Sequence, residues 1–290
     1  MTIDSLIAEY RNLGDALRTE VPHEESHQIL STIVSLGSES LESASRESLI
    51  SRVPDKEYFR FAYGGKYSRA VNSKLWEDDH GKLCRNLSVI LSGAGNLNAN
   101  EINRTLYSAT ISFCCMVDLL KNRDQKTPGT YFEYLIRSVI STVLGVKAQT
   151  NVEVLNLDEQ ARLPTDLIFD LGSKRPKFHV PVKTSTRERV IQLWAHQRVL
   201  DGVYGVGRFF GMPMILTETK TDSRRREVTE ICLPLQWRLY QMHISQMWKI
   251  CYLDLPKKYE ALSDEFPIIP VTTVGDLLVG GSDLRQLVNG

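Results

Sequence analysis

The pattern of apolar positions predicts helices over the first part of the chain. Apolar residues recur at helical spacing from Ile3 to Leu17, and a similar pattern between His27 and Leu36 predicts a second helix. The serine-rich stretch up to Pro54 predicts a loop and then a polar helix that ends before the proline. A further helix follows the loop GAGNLNAN, with Asn98 or Asn100 as its cap. We therefore expect residues 1–125 to form a mainly helical N-terminal subdomain.

The pattern changes after the polar segment KNRDQKTPG. YFEYLIRSVISTVLG predicts a helix that is ended by Gly145. Short β-rich segments follow, and a helix at about 186–200 interrupts them; the segments are VEVLNL, TDLIFDL, FHVPVK, PMILTE, VTEICLPL and KICYLDL. This order predicts that residues 126–290 form an α/β domain with a mixed sheet.

One pair of strands carries candidate chemistry. The segment GSKRPK predicts a turn between TDLIFDL and FHVPVK. If Asp170 lies opposite His179, then Asp166 lies opposite Lys183. This register sorts the side chains cleanly, because one face then holds only the apolar residues Leu167, Phe169, Val180 and Val182. The other face places Asp166 beside Lys183 at the open end of the hairpin.

Two interpretations of Asp166 and Lys183 are open. An exposed ion pair needs no function and contributes about 0–1 kcal/mol, and for the pair alone this is the favoured interpretation. In the other interpretation the carboxylate binds Mg²⁺ and the lysine stabilises charge during phosphodiester hydrolysis. Glu133, on the preceding helix, is a candidate for a second carboxylate at the metal.

The segment KTSTRER places Arg187, Glu188 and Arg189 directly after the lysine strand. Arginine forks bond guanine O6 and N7, and a carboxylate accepts from cytosine N4, so the triplet suits G·C base pairs. The alternative is a capping box, in which Ser185 and Glu188 cap the helix and the arginines are solvated. Cations at a helix N-terminus oppose the helix dipole, which favours an anionic partner for this triplet.

These elements together resemble the PD-(D/E)XK nuclease core. The residues that carry the resemblance are the helix GTYFEYLIRSVI, then Pro164-Thr165-Asp166, then Val182-Lys183 and a helix. The KTSTRER spacing resembles the type II restriction endonucleases of the EcoRII/SsoII/PspGI group, over residues 126–200. The resemblance implies a mixed sheet of five or more strands flanked by helices, with an N-terminal helical subdomain for dimerisation and DNA contacts.

The resemblance also implies roles and partners. Asp166 would be a metal ligand, Glu133 an accessory acid at the metal and Lys183 the catalytic lysine, while Arg187, Glu188 and Arg189 would read CC and GG. The implied activity is Mg²⁺-dependent cleavage of double-stranded DNA at a palindrome with a CCGG or CCNGG core. A homodimer, a cognate DNA methyltransferase and a prokaryotic cytoplasmic location are implied as well.

The chain departs from the motif at one acid. Pro181 occupies the usual acidic position, and the resembled enzymes carry this acid on the next helix, where this chain has His196 and Gln197. Both side chains are weaker Mg²⁺ ligands than a carboxylate, and His196 could equally be a packing residue. Three alternatives to the restriction enzyme stand: a DNA-binding protein of the same fold that does not cleave, a repair or junction nuclease, and a helical interaction module, which would need a different hairpin register.

Further DNA contacts are suggested by basic and aromatic residues between 55 and 74. Arg60, Phe61 and Tyr58 are candidates for phosphate contact and base stacking, with burial in the core as the alternative. Arg225, within a run of three arginines, is expected at the tip of a hairpin, where it would grip phosphate or be solvated.

Bulk composition changes this picture little. There are 35 basic and 35 acidic residues, and this neutral total excludes a uniformly basic surface but not local basic patches. The five cysteines lack CxxC spacing, so we expect free thiols and neither a zinc site nor a disulfide framework. No apolar run is long enough for a membrane span or a signal peptide, which indicates an intracellular protein.

Overall fold

The structure is a computed structural model that describes residues 3–19, 23–93, 95–121, 124, 126–155, 160–172, 175–279 and 284. Within this part, the side chains of Ile3, Leu155, Gln160 and Glu188 are not described. The chain forms two compact units: residues 1–142 with 219–230, and residues 143–218 with 231–290. This partition differs from a single division at residue 125, because the helix after that residue and a later segment both belong to the first unit.

The helices of the first unit include those that the apolar pattern predicted and one, α3, that it did not. They are α1 (Ile3–Arg18), α2 (His23–Glu42), α3 (His80–Ser92), α4 (Ala99–Leu120) and α5 (Lys126–Leu144). Asn98 caps α4 in a capping box with Glu101, which decides between the two predicted caps. Gly145, at a φ of 68°, follows the end of α5 as predicted. Stacking of Phe113 on Tyr131, with ring centroids 4.1 Å apart, joins α4 to α5 in the core.

The first unit also contains a sheet that the apolar pattern did not predict. Its strands are β1 (Ser45–Ser51), β2 (Tyr58–Tyr63), β3 (Lys66–Tyr67), β4 (Val71–Asn72), β11 (Thr219–Asp222) and β12 (Glu227–Glu230), in the order β11-β12-β1-β2-β3 with β4 also on β2. The predicted polar helix before Pro54 was wrong, because strand β1 lies there. Antiparallel pairing with β2 and parallel pairing with β12 override the weak local preference of this polar segment for a helix.

The second unit is built around mixed sheet strands. They are β5 (Ala148–Leu155), β6 (Gln160–Phe169), β7 (Lys177–Val180), β8 (Val182–Lys183), β9 (Phe209–Gly211), β10 (Met214–Ile215), β13 (Ile250–Tyr252) and β14 (Val271–Thr273). One set runs β5-β6-β7-β9, and the other, β14-β13-β10-β8, is parallel throughout. The chain passes from β7 to β8 through Pro181, so the two sets form one curled mixed sheet. The predicted mixed α/β fold is confirmed.

Helices cover this sheet. They are α6 (Val190–Tyr204), α7 (Pro234–His243), α8 (Lys257–Glu260) and α9 (Val274–Val279). A core of Trp194, Trp237, Tyr252 and Tyr259 joins α6 and α7 to the sheet. Gly211 permits a close approach of α6 to β9, since a Cβ there would lie 2.8 Å from Oε1 of Gln197. Among the described helices, none has the length and apolar character to cross a membrane.

The five cysteines are free, as expected. Cys114, Cys115 and Cys251 are buried, whereas Cys84 and Cys232 are partly exposed. Burial raises the pKa of the Cys114 thiol to about 11, so this thiol stays protonated at neutral pH.

Candidate active site

The β6–β7 hairpin brings the candidate aspartate and lysine together. Its observed register pairs Leu167 with Val180, Ile168 with His179 and Phe169 with Phe178. The assumed register, which placed His179 opposite Asp170, was therefore wrong by two residues. A shift of two keeps every side chain on its face, so Leu167 and Val180 still share the apolar face.

Asp166 and Lys183 form a half-exposed pair at the open end of this hairpin. Lys183 Nζ lies 2.5 Å from Asp166 Oδ2, and the same oxygen accepts a hydrogen bond of 2.8 Å from the backbone N–H of Val182. The side chains of Lys183 and Asp166 are 28% and 24% exposed. Among the described residues, no group donates to the second oxygen, Oδ1. Asp166 thus has one carboxylate oxygen that an incoming ligand can use.

Parallel strands hold Lys183 in place. β8 pairs with β10, with Val182 opposite Met214 and Lys183 opposite Ile215. The hydrogen bonds continue past the strand, because the N–H of Leu216 donates to the Lys183 carbonyl at 3.0 Å and that of Thr217 to the Thr184 carbonyl at 3.2 Å. The lysine therefore projects from a well-anchored strand end, which is where catalytic groups of mixed α/β sheets are found.

The Arg-Glu-Arg triplet forms the turn that begins the next helix. Residues Arg187–Arg189 make one 3₁₀ turn directly before α6. Arg187 and Arg189 are exposed, while the side chain of Glu188 lies outside the described part of the structure. No side-chain hydrogen bond caps either helical start, at Thr186 or at Arg189. The backbone of Arg187 has a φ of 29°, a value that residues with a Cβ rarely adopt.

A buried glutamate organises the backbone before this turn, and sequence reasoning did not single it out. Glu218 is fully buried. Its Oε1 accepts from the Thr186 hydroxyl at 2.6 Å and the Tyr252 hydroxyl at 2.9 Å, and both oxygens lie 3.1 Å from the Thr186 backbone nitrogen. The backbone N–H of Arg187 bonds to it as well. Burial raises the pKa of Glu218, although these hydrogen bonds oppose the shift.

Gln197 is one of the two residues at the positions predicted for the missing acid of the motif. Its side chain is buried in the protein. Its Oε1 lies 3.1 Å from Nδ1 of the buried His179, and its amide NH₂ donates to Asp201 and to the Phe209 carbonyl. Every polar atom of this amide is therefore engaged. His196 is half-buried, and its ring centroid lies 6.3 Å from that of His179. Burial lowers the pKa of His179 to about 4, so this histidine is neutral at physiological pH.

The residues present fit a magnesium ion held through few protein ligands. Mg²⁺ prefers hard oxygen ligands and is commonly bound through one or two carboxylates, waters and substrate phosphates. Oδ1 of Asp166 is such an oxygen. Glu133 is partly exposed on α5 of the first unit. The described residues contain no group of three or more histidine, cysteine, aspartate or glutamate side chains placed to hold a metal.

The residues of the first unit that were predicted to contact DNA differ in their exposure. Tyr58, Arg60 and Phe61 are buried in strand β2. Arg60 bonds to Glu47 at 2.8 Å and lies over the ring of Tyr67. Side chains this buried offer no surface to DNA. They belong to the core, which was the alternative interpretation, and we do not retain them as DNA contacts.

Arg225 lies in the turn between β11 and β12 and is exposed. Its backbone N–H donates to Asp222 at 3.1 Å. The predicted position at a hairpin tip is confirmed, and a phosphate contact there stays a prediction.

Comparison with known proteins supports this assignment of the fold. No family model matches the chain, and no curated protein matches it. The structure is similar to a type II restriction endonuclease along nearly its whole length. That protein is the type IIP enzyme Kpn2I, whose crystal structure gives a TM-score of 0.83 at 24% identity, covering 99% of this chain and 98% of Kpn2I.

A second structure, of the restriction endonuclease PspGI with substrate DNA, gives a TM-score of 0.41 at 11% identity and covers 66% of this chain and 79% of that one. This likeness is too distant to support an argument. The likeness to Kpn2I shows that the chain has a restriction endonuclease fold, which confirms the resemblance at the level of fold.

Proposed function

We propose that the protein is a Mg²⁺-dependent type II restriction endonuclease that cleaves double-stranded DNA at a palindrome containing CC…GG, with a CCGG or CCNGG core. The observation that carries this proposal is the arrangement of Asp166 and Lys183. An aspartate with one available oxygen pairs with a lysine at a strand end, and two exposed arginines follow within six residues. On a restriction endonuclease fold, this is an arrangement for cutting phosphodiesters beside a group that reads bases.

The chain's own residues have defined roles in this reaction. Asp166 offers Oδ1 as a metal ligand. When bound, Mg²⁺ supplies a Lewis acid at the scissile phosphate and lowers the pKa of an attacking water. Lys183 places its ammonium beside the same carboxylate, where it stabilises negative charge that develops on the phosphate.

Base recognition is assigned to the turn at 187–189. The exposed guanidinium groups of Arg187 and Arg189 bond guanine O6 and N7, and Glu188 accepts from cytosine N4. A palindromic site then implies a twofold homodimer in which each subunit reads one half-site. A cognate DNA methyltransferase and a prokaryotic cytoplasmic location belong to the same proposal.

The test is a plasmid digest with Mg²⁺ that compares the wild-type protein with Asp166→Asn, followed by sequencing of the ends. We expect discrete fragments with CC…GG at every cut, and a loss of cleavage of at least about 10³-fold in Asp166→Asn. Asp170→Asn is the matched control, because Asp170 pairs with Lys177 at the other end of the same hairpin. Random cleavage, or cutting that survives in Asp166→Asn, would contradict the proposal.

One observation favours a second candidate, a DNA-binding protein of the same fold that does not cleave. Gln197 stands where the resembled enzymes carry an acid, and its amide is engaged by His179, Asp201 and Phe209. This candidate predicts that CC…GG duplexes bind specifically and remain intact at high protein concentration. A repair or junction nuclease would instead cut according to DNA structure, at sites without a common sequence.

A further inference from the structure

We propose that Glu218 is the positioning residue of the base-reading turn at 187–189. It holds the backbone of Thr186 and Arg187, so that the side chains of Arg187 and Arg189 project from fixed positions. This inference rests on the proposed function, since it assigns a cause to the specificity of the same site. Glu218 itself is fully buried and does not contact DNA.

The hydrogen bonds suit a carboxyl group better than an amide. Glu218 accepts from the Thr186 N–H, the Thr186 hydroxyl, the Tyr252 hydroxyl and the Arg187 N–H. The two backbone N–H groups can only donate, and both oxygens of Glu218 lie 3.1 Å from the Thr186 nitrogen, so both positions suit an acceptor oxygen. A glutamine has one acceptor oxygen and an NH₂ group, so in either orientation it would direct donors at donors. The site therefore favours a carboxyl group, with two oxygens as acceptors, over an amide.

Glu218 adds to the internal bond of the turn, in which the N–H of Arg189 donates to the Thr186 carbonyl at 2.8 Å. Neither helical start has a side-chain cap, and Arg187 has a φ of 29°. A backbone value of this kind persists only where surrounding contacts hold it. Glu218 supplies these contacts at Thr186 and at Arg187 itself. Without these contacts we expect the backbone at Arg187 to shift toward ordinary helical values, so that the arginine side chains project from different positions.

The same stretch of chain also fixes the lysine. Leu216 and Thr217 donate to the carbonyls of Lys183 and Thr184, and Glu218 follows them directly. Residues 216–218 thus bind the strand end that carries the lysine and the turn that carries the arginines. This ties the place where DNA is cut to the place where its bases are read.

The experiment measures binding of duplexes with CCGG and CCNGG cores and of a scrambled duplex, without Mg²⁺, to wild type and Glu218→Gln. We expect Glu218→Gln to weaken binding to the preferred duplex by at least about tenfold, the loss expected for one or more unmade hydrogen bonds. Binding to the scrambled duplex should change by less than about twofold, because phosphate contacts dominate it. In cleavage, KM should rise while kcat changes little.

Matched variants separate positioning from general stability. Thr186→Ser keeps the hydroxyl and should bind as wild type does, whereas Thr186→Val removes it and should lose specificity in the same direction as Glu218→Gln. Gln241→Met removes a buried hydrogen-bonding side chain between α6 and α7 and should lower the melting temperature without changing the ratio of specific to non-specific affinity. If Glu218→Gln does not fold, the Thr186 pair decides the question.

Two outcomes would overturn the inference and are distinguishable. If wild type shows no preference for CC…GG duplexes, the proposed function fails and this inference fails with it. If wild type has the preference but Glu218→Gln and Thr186→Val keep it, or lose specific and non-specific binding equally, then Glu218 serves stability alone.

Discussion

Two aspartate–lysine pairs lie at the two ends of the β6–β7 hairpin. They differ in whether the aspartate keeps a carboxylate oxygen that accepts no hydrogen bond from the described residues. At the turn end, Asp170 accepts from Lys177 at 2.6 Å and from the backbone N–H of Gly172 at 2.9 Å, through different oxygens. At the open end, Asp166 accepts both of its hydrogen bonds on one oxygen. Both pairs are partly exposed to similar degrees. An aspartate–lysine pair alone therefore says little about function, and the available oxygen is what distinguishes Asp166.

Neighbouring structure strengthens this distinction. Lys183 ends a strand that is paired with β10 and lies next to the arginine turn. Lys177 begins a strand on the side of the β6–β7 turn. The same residue types thus occur in a setting suited to catalysis at one end and in a turn-stabilising setting at the other.

The largest effect should come from removing Lys183, with removal of Lys177 as the matched control. Lys183→Met should lower the cleavage rate by at least about 10³-fold, because charge on the phosphate loses its stabilising ammonium. Lys177→Met should leave the rate within about twofold of wild type, since its pair lies away from the arginine turn. Single-turnover cleavage of a plasmid measures both rates, and circular dichroism confirms that both variants fold. If both variants lost the same fraction of the cleavage rate, the two pairs would not differ in function and the prediction would be wrong.

A second prediction concerns His179, which lies on β7 between the two pairs. Its pKa of about 4 in the folded protein lies below the value of about 6.5 for an unfolded chain. Between these values the unfolded chain binds the extra proton, so the free energy of unfolding should fall by up to about 3 kcal/mol as the pH drops from 6.5 to 4. Urea unfolding at several pH values measures this slope. It should flatten in His179→Phe and persist in variants of either pair.

The smallest effect is the contribution of Asp170 to stability. Hydrogen bonds from Lys177 and Gly172 lower the pKa of Asp170, so its contribution is present above the unfolded pKa of about 4 and is lost as the pH falls through the folded value. Because the pair is partly exposed, we expect Asp170→Asn to cost no more than about 1 kcal/mol at pH 7. The cost should shrink in 1 M salt and at low pH. A cost that grows under either condition would contradict the assignment.

Local patterns predicted most of the second unit but not its longest-range contacts. The apolar segments and the helix after residue 186 were found because alternation and helical spacing are local signals. The predicted register of the hairpin was wrong by two residues. The alternation of apolar and polar residues determines which face each side chain occupies, but it is the same for any shift of the strands by an even number of residues. Glu218 was not identified because its partners lie 32 and 34 residues away. Strand β1 was mistaken for a helix because its partner strands, not its own residues, determine its conformation.

The pairing of β1 with β12 has a consequence for how the protein is made. Ile50 lies opposite Glu227, so the sheet of the first unit cannot be completed until the ribosome has synthesised the first segment of the second unit, residues 143–218. At about 5–20 residues per second, β1 waits roughly 10–35 s for its partner. During that time its open edge is a template for wrong pairing with other chains. We therefore expect the nascent protein to depend on chaperones that shield β1 until β12 has left the ribosome.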